Sequence, residues 1–253
     1  MAWYEPSDGN RVYYEDHGRG DAVVLMPGWG GSIIDLDRLR LELVSGFRVI
    51  AVDIPGSGRS QPQPRRYTST YYRDDALVLL GLLDELGLGV AHLVGFSDGG
   101  ELALLMAALR PAGALSVAAW GAAGQVVAAP RLLQGLARLP DDPIDELKTL
   151  AAYLAEKYGV AEARIMARSW AEAMGAIIDA GGDISRSQAA AIRCPALLIT
   201  GTDDPFCPPD LVREFAAAIP RGKFREALGA GHDVHLSQRA WLVSTVVAWL
   251  TDH

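Results

Sequence analysis

The feature that most limits how this chain can fold is a repeated unit: a short run of purely apolar residues that ends in a glycine-rich turn. Residues 22–26 (Ala-Val-Val-Leu-Met) lead into Pro27-Gly28-Trp29-Gly30-Gly31-Ser32, and residues 47–52 lead into Asp53-Ile54-Pro55-Gly56-Ser57-Gly58-Arg59-Ser60. Residues 91–94 precede Gly95-Phe96-Ser97-Asp98-Gly99-Gly100, and residues 196–200 precede Gly201-Thr202-Asp203-Asp204-Pro205. An apolar run without polar alternation reads as a strand buried on both faces, which is the signature of a parallel sheet. Helical periodicity at 35–44, 71–86 and 101–110 supplies the crossovers that parallel strands require. The predicted class is therefore α/β, with a mostly parallel central sheet and helices on both faces. In such a sheet the chemistry lies beyond the carboxyl ends of the strands, where these turns fall.

The remaining segments fit around that unit. Residues 3–5 and 11–15, joined through Ser7-Asp8-Gly9-Asn10, read as an edge hairpin, and 115–120 as the next strand. The alternation then stops. Between 122 and 187 the pattern is helical, at 130–139, 144–158 and 160–180, with no strand-like run, so we expect a helical cap inserted into a core made of 1–121 and 188–253. After the strand at 196–200 come a helix at 209–219, a last strand near 223–227, the loop Gly229-Ala230-Gly231-His232 and an amphipathic helix at 237–250.

Composition excludes several partners. Half of the 253 residues are hydrophobic, the net charge is -8, and no basic run is longer than Arg65-Arg66, so nucleic acid is not an expected partner. Residues 1–10 lack the basic start and apolar core of a signal peptide, and a cytoplasmic location is expected. The uncharged stretch 111–130 is bounded by prolines and contains Gln125, so it reads as a buried strand and loop and not as a membrane span. Cys194 and Cys207 fit no metal or redox spacing and are expected in or near the core. No metal or cofactor is expected, and neither glycine-rich turn near the N-terminus carries the lysine of a phosphate-binding loop.

Gly95-Phe96-Ser97-Asp98-Gly99, set between a strand and a helix, has the spacing of a nucleophile elbow, in which small neighbours permit a turn too tight for side chains. A serine hydroxyl needs a base within hydrogen-bond reach and a third group to orient that base. Of the five histidines, His17 and His92 precede the elbow and His253 ends the chain. His232 follows the last strand in a glycine-bounded loop and is the expected base, with His235 its only neighbour in sequence. No acid follows the strand at 115–120 until Asp141, whereas Asp203 and Asp204 follow 196–200. Asp204, on the far side of that loop before Pro205, is the expected acid, and Asp203 caps the turn. Oxyanion donors are expected from the backbone N–H groups of Asp98 and Trp29, with Gly56-Ser57-Gly58 supporting the Trp29 loop.

With these residues placed, the region from about 22 to 250 resembles the α/β-hydrolase superfamily, in which serine, acid and histidine follow one another in that order. It resembles more narrowly the valacyclovir hydrolase (biphenyl hydrolase-like) family. The resemblance is carried by Leu25-Met26-Pro27-Gly28, Tyr72-Arg73-Asp74-Asp75-Ala76, Gly95-Phe96-Ser97-Asp98-Gly99-Gly100, Trp120-Gly121-Ala122, Cys194-Pro195-Ala196-Leu197-Leu198-Ile199, Asp204-Pro205 and Gly231-His232-Asp233-Val234-His235-Leu236. It implies hydrolysis of α-amino acid esters, with Asp98 holding the substrate ammonium and with Trp29 and Trp170 lining the substrate site. An acidic residue in a helix's first turn also complements the helix dipole, so both roles stay open for Asp98 at this point. The cap departs most from the family. The expected activity is that of a serine esterase on a small ester, working through an acyl-enzyme. A thioesterase or lactonase using the same triad, and a silent module that binds a hydrophobic ligand, are the alternatives.

Overall fold

A computed structural model describes residues 2–6, 9–127 and 129–253; the Ser7-Asp8 part of the expected hairpin turn, Met1, and Ala128 of the expected cap lie outside them. The described residues form one sheet of eight strands. In chain order its strands are β1 (Ala2–Tyr4), β2 (Val12–Gly18), β3 (Ala22–Met26), β4 (Arg48–Val52), β5 (Ala91–Phe96), β6 (Ala114–Trp120), β7 (Ala196–Gly201) and β8 (Gly222–Ala227). They lie in the order β1-β2-β4-β3-β5-β6-β7-β8. β1 and β2 form the edge hairpin, with Trp3 opposite Tyr13, and β2 joins β4 antiparallel. Every pairing from β4 to β8 is parallel.

The helices follow from the same pattern. They are α1 (Asp37–Leu43), α2 (Tyr71–Glu85), α3 (Asp98–Leu109), α4 (Pro130–Ala137), α5 (Lys148–Tyr158), α6 (Val160–Asp179), α7 (Pro209–Ala218), α8 (Val234–Ser237) and α9 (Arg239–Thr251). Strand residues alternate strictly between two cores, as a two-residue side-chain period demands. Val24, Met26, Leu93, Val117, Ala119 and Leu198 pack with α2, α3 and α7, while Val23, Leu25, Val94, Ala118, Leu197 and Ile199 pack with α1 and α9. Both faces of β3, β4, β5 and β7 are thereby covered, which is why those strands carry no polar alternation, whereas β8 at the sheet edge exposes Lys223 and Arg225.

Four expected helices begin differently. Before α1 and α5 the chain winds first as a tighter 3-10 turn, at Ile33–Leu36 and Asp145–Leu147. The C-terminal helix is two pieces, α8 and α9, and α9 is less amphipathic than expected, since its sequence is apolar nearly all round. Leu242, Val246 and Leu250 are buried, and Trp241, Val243, Val247 and Trp249 pack partly against the same core. α3 starts earlier than the apolar pattern indicates, because Asp98, directly after Ser97, is already helical.

Between β6 and β7 the chain leaves the sheet for α4, α5 and α6. α4 packs on α6, and an isolated antiparallel bridge, Gln125 with Asp183, closes the base of the excursion. α5 reaches the turn after β3 through Leu154 and Tyr158 and the 3-10 turn beyond it through Tyr153, and α6 reaches the start of α2 and α3 through Ser169 and Trp170. These helices therefore lie over the carboxyl ends of β3 and β5. No helix among the described residues is long and apolar enough to cross a membrane.

Candidate active site

Ser97 sits at the tip of the turn between β5 and α3 with φ 52° and ψ -121°, the one positive φ outside glycine among the described residues. Such a conformation costs about 1–3 kcal/mol and persists only where the surroundings impose it. Here the imposing contacts are backbone on backbone. A Cβ on Gly95 would stand 2.1 Å from the Gly99 carbonyl oxygen, and one on Gly99 would stand 2.4 Å from the carbonyl oxygens of Met26 and Pro27. The two glycines are thus required by the closeness of α3 to the ends of β5 and β3. The Ser97 N–H donates to the Trp120 carbonyl at 2.8 Å, which ties the turn to the end of β6.

His232 reaches this serine from the loop after β8. Its Nε2 lies 3.0 Å from Ser97 Oγ, and its Nδ1 lies 2.9 Å from Asp204 Oδ2. The Gly121 position explains a further glycine: its φ is +64°, and a Cβ there would be 2.8 Å from His232 Cε1. Asp204 is buried, and its Oδ1 accepts the N–H groups of Phe206 at 2.9 Å and Cys207 at 3.0 Å. Burial alone would raise its pKa, but the His232 hydrogen bond and charge, with those two amides, hold it below the usual carboxylate value. For His232 burial acts downward, and the Asp204 hydrogen bond and charge overcome it, so its pKa is raised. The arrangement keeps a carboxylate on Nδ1 and leaves Nε2 to exchange a proton with Ser97 Oγ.

The neighbours considered for these positions lie elsewhere. Asp203 is exposed, and its N–H donates to the Ala230 carbonyl, closing the loop after β7 against the His232 loop. His235 lies in α8, where its Nδ1 faces Trp120 Nε1 at 3.3 Å, and burial pushes its pKa down to about 4. It is a neutral acceptor packed on Phe96. Cys194 and Cys207 are both buried free thiols. Cys207, Asp204 and His232 offer one donor atom each within 4.8 Å of one another. Burial raises the Cys207 thiol well above its ordinary pKa, and the carboxylate and Nδ1 already engage each other. In this trio the carboxylate and the imidazole are engaged with each other and burial disfavours the thiolate, a poor donor set for a metal ion.

Trp29 occupies the turn after β3, where Gly28 comes close enough that a Cβ would be 3.2 Å from Ser97 Cβ. Neither the Trp29 N–H nor the Asp98 N–H donates to a backbone acceptor among the described residues, and the first amide of a helix has no intrahelical partner. Asp53 braces this turn against the one after β4, with Oδ1 accepting the Ile33 N–H at 2.7 Å and Oδ2 the Arg59 N–H at 2.8 Å.

The surroundings of Asp98 are not legible in the sequence. Its carboxylate is buried, and it accepts Tyr72 Oη–H on Oδ1 at 2.8 Å, with Tyr71 Oη–H at 2.8 Å and Trp170 Nε1–H at 3.2 Å on Oδ2. Trp170 stacks on Trp29 with ring centroids 4.9 Å apart, and Tyr67 packs edge-on to Tyr71. Burial raises the Asp98 pKa, and the three hydrogen bonds and the Arg65 charge oppose that rise. Arg65 itself grips Asp75 with two bonds of 2.7 and 2.6 Å, so no cation among the described residues pairs with Asp98 directly. Tyr71 and Tyr72 open a helix whose periodicity carries no sign of this role, and only the packing of α2 on α3 turns both hydroxyls onto one carboxylate.

The profile of the alpha/beta hydrolase family matches residues 23–245. Serine hydrolase BPHL of Homo sapiens is 29% identical over 209 residues, covering 79% of this chain and 69% of that protein. A 2-hydroxy-6-oxononadienedioate/2-hydroxy-6-oxononatrienedioate hydrolase of Paraburkholderia phymatum is 32% identical over 254 residues, covering 88% of this chain and 84% of its own length. Among solved structures, the enol-lactonase from Burkholderia xenovorans superimposes with a TM-score of 0.78 at 24% identity over 99% of this chain and 100% of that one, a likeness of fold. The matched profile spans every strand of the parallel sheet and the loops that carry Ser97, Asp204 and His232; the chain belongs to the alpha/beta hydrolase family and is a hydrolase.

Proposed function

We propose that the protein is a serine hydrolase that cleaves carboxylic esters through an acyl-enzyme on Ser97, and that α-amino acid esters are its preferred class. The observation that carries this reading is a Ser97-His232-Asp204 relay, joined by hydrogen bonds of 3.0 and 2.9 Å, beside a buried carboxylate that has no cationic partner among the described residues. As Ser97 Oγ attacks the ester carbonyl, His232 Nε2 takes its proton, and Asp204 stabilises the imidazolium through Nδ1–H. The N–H groups of Trp29 and Asp98 meet the developing oxyanion. The alcohol departs with the proton from Nε2, and water repeats the sequence on the acyl-enzyme. The helical segment 122–187 acts as a cap over a core made of 1–121 and 188–253. Two buried free thiols suit a reducing compartment, and we place the activity in the cytoplasm.

The ammonium role rests on the unfilled capacity of Asp98. A carboxylate offers about four acceptor positions; Tyr71, Tyr72 and Trp170 use three, and Oδ1, with Tyr72 alone, keeps room for another donor. An ammonium there compensates a buried charge and lies among the rings of Trp29, Trp170 and Tyr71, which favour a cation. Trp170 both orients the carboxylate and lines the site. A dienedioate of the kind named for the Paraburkholderia relative carries carboxylates of its own, and the like charge of Asp98 disfavours such an acyl group. A thioesterase or lactonase would use the same relay without needing Asp98. A silent binding module would have no use for a relay with both bonds made.

The test compares kcat/KM for a phenylalanine ester with that for the same ester lacking its α-amino group, in the parent protein and in Asp98→Asn, with Ser97→Ala as the background. A charge-assisted hydrogen bond of about 1.5–3 kcal/mol corresponds to a preference for the amine of roughly tenfold to a hundredfold. That preference disappears in Asp98→Asn. Equal rates on both esters in the parent protein reject the ammonium role, and turnover surviving in Ser97→Ala rejects the serine mechanism.

A further inference from the structure

The turn that carries the Trp29 amide is held from outside the sheet. Residues 28–31 form a tight turn closed by the Gly31 N–H donating to the Gly28 carbonyl at 2.9 Å. The Gly28 carbonyl and the Trp29 N–H belong to one planar peptide and point in opposite directions, so whatever fixes the carbonyl also aims the N–H. Gly30, at the third position, has φ +66°, and a Cβ there would lie 2.6 Å from Leu154 Cδ2 of α5. The helix is therefore in contact with the turn. Four residues further along the same helix, the Tyr158 hydroxyl donates to the Gly30 carbonyl at 2.8 Å and accepts the Gly58 N–H at 2.7 Å. Gly58 is a firm support, because Asp53 holds the next amide, that of Arg59, at 2.8 Å and the amide of Ile33 at 2.7 Å.

We infer that Tyr158, from the inserted helices, is a positioning residue that aims the Trp29 N–H at the oxyanion by tying the Gly30 carbonyl to the braced turn at Gly58. The inference rests on the ester-hydrolase reading above. Without the hydroxyl, the 28–31 turn keeps its internal bond and the Asp53 brace at Ile33 but loses the tie between the Gly30 carbonyl and Gly58, and its peptides can rock relative to Ser97. The loss falls on the transition state, since the oxyanion bond reaches full strength only there, and ground-state binding is spared. The arrangement also makes the inserted segment part of the catalytic geometry as well as a cover.

The experiment uses Tyr158→Phe in the full chain, with Tyr153→Phe as comparison. Tyr153 is on the same helix, and its hydroxyl donates to Asp35 Oδ2 at 2.7 Å without touching the 28–31 peptides. The expected result for Tyr158→Phe is a kcat lower by about tenfold to a hundredfold, as for a misplaced or lost oxyanion donor, with KM within about twofold. Affinity for phenethylboronic acid, whose tetrahedral adduct on Ser97 mimics the transition state, falls in the same proportion, while inhibition by the product acid is unchanged. Tyr153→Phe keeps its kcat. An unchanged kcat in Tyr158→Phe overturns the inference, and so does an equal loss in Tyr153→Phe, which would mean that general docking of the helix is what matters. Turnover that survives Ser97→Ala overturns the ester-hydrolase reading itself; turnover that needs Ser97 but ignores Tyr158 overturns only this inference.

Discussion

Replacing Glu101 with glutamine should flatten the pH dependence of stability. Glu101 lies in the first turn of α3, 5% exposed, with Oε1 accepting the N–H groups of Ala123 at 2.8 Å and Gly124 at 3.0 Å, and Oε2 without a partner among the described residues. Burial pushes its pKa up from 4.5 to about 8; the two amides oppose the rise, and the charges of Asp98 and Asp183 add to it. A carboxyl whose folded pKa is raised binds its proton more tightly folded than unfolded. Its contribution to stability is therefore complete below the unfolded value and is lost as pH climbs through the folded one. At 1.36 kcal/mol per unit, the span between those values corresponds to roughly 5 kcal/mol, an upper figure for so buried a group. Glutamine keeps the carbonyl acceptor for both amides and cannot ionise. Urea unfolding of both proteins from about pH 5 to about pH 9 should show the difference in stability moving steadily in favour of Glu101→Gln by at least ~2 kcal/mol. A difference that stays constant across that range would mean Glu101 is already ionised in the folded protein, and would refute the reasoning.

Further outcomes follow from the relay and from the serine turn. The acid limb of kcat/KM should have its midpoint above 6.5, because His232 must be neutral to accept the Ser97 proton and Asp204 raises its pKa. A pH–rate profile measures it, and Asp204→Asn should move that midpoint downward while also lowering the rate. Gly99→Ala should destabilise the protein by about 3 kcal/mol or more and remove activity, because its Cβ would meet two carbonyl oxygens at 2.4 Å. Gly89→Ala, with no atom within 4 Å of the new carbon, should be close to neutral in the same thermal melt.

The readable parts of this protein are those in which local chemistry and tertiary placement obey one rule. A strand buried on both faces must be apolar along its whole length, so β3, β4, β5 and β7 are visible as runs, and the crossovers between them oblige a parallel sheet. Gly95 and Gly99 mark the serine turn because only glycine fits where the end of β5 meets the start of α3 and where α3 meets Met26 and Pro27. Ser97, Asp204 and His232 each lie in a loop that follows a strand, and parallel topology brings such loops to one edge, where their side chains are in hydrogen-bond contact.

Features made by contacts between distant segments were not readable. The start of α3 at Asp98 was hidden by the glycines of the turn, and the near-uniform apolarity of α9 concealed which of its sides is buried. Tyr71 and Tyr72 converge on Asp98 only through helix packing, Arg65 is occupied by Asp75 only in the fold, and Tyr158 meets Gly30 across 128 residues of chain. By itself the sequence determined the sheet, its glycine turns and the loops that carry Ser97, Asp204 and His232, because backbone hydrogen bonding and steric fit act residue by residue. Only the tertiary structure decided what surrounds the Asp98 carboxylate and what steadies the Trp29 turn, because those settings are made by side chains far apart in the chain and leave no periodic trace in it.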